Sequence, residues 1–122
     1  MDIQQEINRA WTLKKEGLLT EALSIYNKIF DILCNEAREY ARVQDGSITD
    51  DGDVRKINPQ FLKLSQVYLQ RDNSACVILN NMGVILAEMG RLDEAKNMFT
   101  QSIELTPEDL DYPNPKIGLK NL

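Results

Sequence analysis

Twice in this sequence a small residue is followed 12 positions later by another, with a glycine between them: Ala10, Gly17 and Ala22, then Gly83, Gly90 and Ala95. Apolar side chains on both sides of each glycine recur at the helical period. Ile3, Ile7, Ala10 and Leu13 precede Gly17, and Leu23, Tyr26, Ile29, Phe30, Leu33, Ala37 and Tyr40 carry one apolar face on to about Val43. Ile78, Leu79, Met82, Ile85, Leu86 and Met89 precede Gly90, and Leu92, Ala95, Met98, Phe99, Ile103 and Leu105 follow it as far as Pro107. A glycine takes up the left-handed conformation that ends a helix, so each triplet reads as an antiparallel helical hairpin. The small residues sit where the paired helices must approach closely. The fold class that follows is all-α, with about five helices and a short C-terminal one.

Turn chemistry sets the expected boundaries. Thr20 is the expected N-cap of the second helix and Ser74 that of the fourth. Asn58-Pro59 pairs a capping residue with one that tolerates the first helical position; Phe61, Leu62, Leu64, Tyr68 and Leu69 then continue a short helix to Arg71-Asp72-Asn73. Between Gln44 and Val54, glycines and four mutually repelling aspartates break all periodicity, which predicts a mobile loop. That segment does not meet the helix-loop-helix calcium frame: counted from Asp45, the position for glycine holds Asp50 and the position for glutamate holds Lys56. The chain is thus expected as a single domain 1–122. It comprises an atypical hairpin at 1–43, a flexible loop at 44–57, an irregular helix at 58–72, a second hairpin at 74–107, and a turn and the start of a terminal helix at 108–122.

Composition narrows the function. A hydrophobic share of 43% against 27% charged residues is that of a chain able to bury a core. The net charge of −5 repels a phosphate backbone, so no nucleic-acid partner is expected. There is no histidine, which removes the commonest general base and zinc ligand. No nucleophile-base pair and no glycine-rich phosphate loop can be identified, and no catalytic residue, metal or cofactor is expected. Cys34 and Cys76 are too far apart for a paired metal or redox motif and read as buried thiols. With no basic or apolar start at Met1–Glu6, the expectation is a cytoplasmic protein. Nothing approaches the roughly 18 apolar residues of a membrane span.

Leu79-x2-Met82-Gly83-x2-Leu86, then Ala95-x3-Phe99, then Pro107 resembles the tetratricopeptide repeat, a helical hairpin of about 34 residues. Ala10-x2-Leu13, Gly17 and Ala22-x3-Tyr26 are similar in register, but Glu6 and Arg9 replace the first large apolar pair and Cys34 replaces the proline. Gly17 to Gly90 spans 73 residues where two standard repeats occupy about 68. The middle unit is therefore expected to be an irregular copy, its first half replaced by the Asp-rich loop. Leu119-Lys120-Asn121-Leu122 echoes Leu79-Asn80-Asn81-Met82 at a distance of 40, similar to the longer repeats of kinesin light chains, where such a run opens the first helix.

The resemblance implies hairpins stacked as a right-handed superhelix, whose first helices line a groove for a protein or peptide ligand. The residues implied for that groove are Asn8, Trp11, Lys15, Asn80, Asn81, Val84 and Glu88. Trp11 beside two lysines has the amphipathic ring of a peptide anchor, and Asn80 and Asn81 carry amides that both donate and accept. The family's chaperone-tail binders place charged and amide side chains where this sequence has Ile7, Trp11 and Val77, which argues against that ligand. The alternative function is a structural or self-associating block of a larger array, joined as a homo-oligomer through Ile117, Leu119 and Leu122 at the C-terminal end.

Overall fold

The computed structural model describes residues 2–44, 59–71 and 74–122, and the Asp-rich segment with its expected mobility lies outside them. Six α-helices make up the described residues: α1 (Ile3–Lys15), α2 (Leu19–Gln44), α3 (Pro59–Gln70), α4 (Ser74–Glu88), α5 (Leu92–Leu105) and α6 (Asn114–Lys120). Asp2 caps α1, its carboxylate accepting from the backbone N–H of Gln4 and Gln5 at 3.0 and 3.3 Å.

The two glycine turns share one geometry, hydrogen bond for hydrogen bond. Gly17 and Gly90 have φ of +83° and +80°. Leu18 N–H donates to Leu13 C=O and Arg91 N–H to Leu86 C=O, both at 2.9 Å; Gly17 N–H reaches Lys14 C=O and Gly90 N–H reaches Ala87 C=O, both at 3.0 Å. This is the left-handed C-terminal cap that returns orphan carbonyls to the chain. The next helix starts at once, Ala22 N–H bonding Leu18 C=O and Ala95 N–H bonding Arg91 C=O. Leu18 therefore takes the cap position expected for Thr20, which is already inside the first turn of α2. Ser74 is likewise the first residue of α4 and not its cap.

Ala22, Tyr26, Ile29, Leu33, Ala37 and Ala41 form the buried stripe of α2. Its first half faces α1 and α4. Its second half extends beyond α1 and pairs with α3, where the Tyr40 and Tyr68 rings lie 5.3 Å apart and Tyr68 Oη donates to Glu36 Oε2 at 2.9 Å. Gln70 Nε2 donates to Glu104 C=O at 3.0 Å, fastening the end of α3 to the end of α5. α4 packs directly against α2, so the two hairpins are neighbours and α3 flanks the lengthened part of α2.

α4 is the central helix, buried along Ala75, Cys76, Ile78, Leu79, Met82, Gly83, Ile85 and Leu86. It pairs with α5 through Ala95, Phe99 and Ser102, and the buried Ser102 hydroxyl donates to Cys76 C=O at 2.6 Å. α6 then covers the Phe99 ring from the far side. A Cβ on Gly83 or on Gly118 would lie 2.7 or 2.6 Å from the ring, so the aromatic plate is held between two glycine backbones. Gly118 follows Gly83 by 35 residues, and the Leu119–Leu122 run closes α6 instead of opening a helix.

Gly83→Ala adds about 1 kcal/mol of helix propensity but drives a methyl into a ring that has nowhere to retreat, an overpacking cost of about 1–3 kcal/mol. The expected net result in urea unfolding is a loss of about 1 kcal/mol. A smaller side chain at 99 should relieve the clash, so Gly83→Ala and Phe99→Leu together should cost clearly less than the sum of the two. Additive costs would show that the ring is not confined.

Candidate functional site

Asn8, Trp11 and Lys15 on α1 have the spacing of Asn81, Val84 and Glu88 on α4, and each triplet lies on one helix face. Lys14 Nζ reaches Glu88 Oε1 at 3.4 Å, joining the C-terminal end of α1 to that of α4. The Lys14 side chain is only 17% exposed, so this lysine lies against the protein and not out in solvent. Lys14 and Lys15 hold their ammonium groups 5.2 and 5.4 Å from the centre of the Trp11 ring, within the range of cation–π attraction. Trp11 itself is 44% exposed: it belongs to the surface and not to the core. Asn8 is exposed and accepts from Gln4 Nε2 at 3.2 Å.

On α4 the expected residues differ among themselves. Asn81 is half-buried and donates to the Tyr26 hydroxyl at 3.3 Å, binding α4 to α2. Burial pushes the Tyr26 phenol above its ordinary pKa, and the bond from Asn81 offsets part of that rise. Val84 is half-buried against the core, and Glu88 is exposed. Asn80 contradicts expectation: it is 6% exposed and does not line an open surface. The Tyr112 hydroxyl, from the α5–α6 connector, lies beside its amide, and its Oδ1 finds no hydrogen-bond partner. A buried polar atom left without a bond costs about 1–3 kcal/mol. The Tyr112 phenol is pushed up to about 12, chiefly by burial and further by Cys76.

Other chemistry finds little support. Both cysteines carry thiols, and burial together with Asp31 pushes the Cys34 thiol up, away from an activated thiolate. Among the described residues no three acidic or cysteine side chains converge as a metal site. Arg91 pairs with Glu94 across the first turn of α5 and holds that carboxyl below its usual range, which gives this acid a local partner. No described helix is long and apolar enough to cross a membrane. A hollow of 460 Å³ lies between α1 and α2 over Leu13 and Ile25, and one of 260 Å³ lies within the α5–α6 connector; neither is lined by an expected groove residue.

Neither Lys14 nor Tyr112 is among the residues implied for the groove. A signal existed for Lys14: it lies one turn from Trp11 and on the same helix as Ile7 and Ala10, which places its stem along the packed side. Tyr112 carried no such signal, because a residue in an irregular connector has no periodicity.

Residues 78–109 match the family model of the tetratricopeptide repeat. This covers α5 and most of α4, and the first hairpin lies outside the match. No curated protein and no solved structure matches the chain.

Tyr112 gives a pH signature. Its unfolded phenol loses a proton near 10, while the folded one keeps it to about 12. Stability should therefore be level below pH 10 and fall as the pH rises from 10 towards 12, where the unfolded chain releases a proton that the folded chain retains. Ultraviolet titration should show a late phenol that Tyr112→Phe removes. If that variant instead removes a step near pH 10, the ring lies in water.

Proposed function

We propose that this chain, which carries a tetratricopeptide repeat, is a protein–protein interaction module in which α1 and α4 present one surface to an extended peptide or a partner's helix. The observation that carries this reading is the Lys14–Glu88 pair, which ties two helices from different hairpins at their same ends. It brings Lys14, one turn after Trp11, to Glu88, one turn after Val84. Trp11 supplies the aromatic anchor, Lys14 and Lys15 steady its ring, and Asn8 and Asn81 flank it along the two helices. Asn80 has no part in the open surface, because Tyr112 covers it.

The scaffold is one domain of two stacked hairpins, 1–43 and 74–107, with α3 as a lateral helix. The function is binding and not catalysis: no cofactor or metal is required, and no nucleic acid or membrane is a partner. The two thiols suit a reducing compartment such as the cytoplasm. A second reading, self-association through α6, draws support from Ile117, which is 54% exposed, and from the exposed Leu122.

Affinity capture from a lysate with mass spectrometry tests the first reading. Partners held by the native chain should fall by about tenfold or more with Trp11→Ala or Lys15→Glu, as loss of an interface anchor of about 1.4 kcal/mol or more requires. They should persist with Lys28→Ala on the outer helix α2. Loss confined to changes on α2 and α5 would put the binding surface elsewhere. For the second reading, light scattering at rising concentration should show an association that Ile117→Lys abolishes; a monomer throughout would contradict it.

A further inference from the structure

The contact between Tyr112 and α4 has the form of a bound ligand. Cys76 and Asn80 stand one turn apart on the same face of α4, and in the first hairpin the residues 73 positions earlier are Ile3 and Ile7. The second hairpin alone thus carries an amide at this place. That amide is buried, and its Oδ1 has no hydrogen-bond partner. An extended peptide backbone offers both a donor and an acceptor, which a phenol hydroxyl in this position does not supply to both ends.

The connector that delivers Tyr112 is loosely built. Residues 107–113 contain no helix, and Leu110 N–H to Pro107 C=O, at 3.1 Å, is the backbone bond within them. Between this segment and α5 remains a hollow of 260 Å³, bordered by Ile103, Leu110 and Lys116. Glu108, Asp109 and Asp111 point into solvent, so the half-buried Pro107, Leu110 and Tyr112 are what hold the segment down.

We propose that residues 107–113 form a strap that occupies a peptide subsite on α4, and that an incoming extended segment carrying an aromatic side chain displaces Tyr112 and pairs with both ends of the Asn80 amide. The subsite enlarges the surface described above and rests on that reading. A partner reaching it binds more weakly by the fraction of molecules whose strap is lifted, so loosening the strap strengthens binding. The strap also sets specificity: a segment without an aromatic residue gains Asn80 but leaves the space of the ring empty.

The chain's own segment serves as the probe. A fluorescent synthetic peptide of residues 106–116, Thr-Pro-Glu-Asp-Leu-Asp-Tyr-Pro-Asn-Pro-Lys, is titrated into the full chain and followed by polarisation. Tyr112→Ala should bind it about tenfold or more tighter than the native chain. Adding Asn80→Leu should remove that gain, and a peptide with alanine in place of its tyrosine should bind neither protein. Equal affinity for the native chain and Tyr112→Ala, or a gain that survives Asn80→Leu, overturns the proposal. Should Tyr112→Ala not fold, hydrogen exchange on the native chain decides. Amides of Leu110 and Tyr112 should exchange while α4 and α5 remain protected, and exchange of all of them together only at the global unfolding rate contradicts a strap that lifts. Trp11→Ala separates this proposal from the wider surface. Peptide binding that needs Asn80 but not Trp11 upholds the strap without the shared surface, and binding that needs Trp11 but not Asn80 does the reverse.

Discussion

The Phe99 ring pressed between Gly83 and Gly118 decides how three helices are spaced. A glycine on each side lets α4 and α6 approach the ring to contact distance, and a bulkier residue on either would push one helix away. In the first hairpin Tyr26 holds the place of Phe99, with Ala10 where Gly83 stands, and it is fully buried between α1 and α4. One aromatic plate per hairpin is thus the element that stacks each unit on the next first helix. The tyrosine adds a polar handle: its hydroxyl takes the Asn81 amide, so the register between hairpins is fixed by a bond as well as by packing.

The surface follows from this stacking. With α4 on α2 as α6 lies on α5, α1 and α4 both pack against α2, and their C-terminal ends meet at Lys14 and Glu88. A half-exposed ion pair of this kind adds about 1 kcal/mol or less. It therefore marks the alignment and does not cause it. What it does produce is local: two ammonium groups are drawn to the edge of the α1–α4 surface, over an indole that the core has no room to take. The same central position of α4 explains its buried amides. A helix covered by α2, α5, α6 and α3 has little free face left, so Asn81 is recruited to the hairpin interface and Asn80 is closed over by the connector.

Much of the scaffold was legible in the chain because it depends on local chemistry. Gly17 and Gly90 mark turns that only a residue without Cβ takes at positive φ, and the apolar periods around them give α1, α2, α4 and α5. Helix starts were less legible. At Thr20 the turn itself supplied the cap, so the side chain with the best capping chemistry was not needed. The interval of 73 residues left open how the hairpins meet, and only the structure shows α4 against α2, with α3 beside both. Spacing found the faces of Asn8, Trp11 and Lys15 and of Asn81, Val84 and Glu88. It could not find that Asn80 is covered, because the cover comes from Tyr112, 32 residues away in an aperiodic segment.

Direct stacking of the two hairpins is the claim from which the α1–α4 surface derives, and zero-length chemical cross-linking tests it. A carbodiimide joins a lysine amine to a carboxylate only when the two already touch, as Lys14 Nζ and Glu88 Oε1 do at 3.4 Å. Mass spectrometry of the digested, cross-linked monomer should therefore recover an amide joining Lys14 to Glu88, and Glu88→Gln should abolish it. Failure to form that bond, with Lys14 joined instead to an aspartate of the segment 45–53, would place a further unit between the hairpins and contradict the stacking.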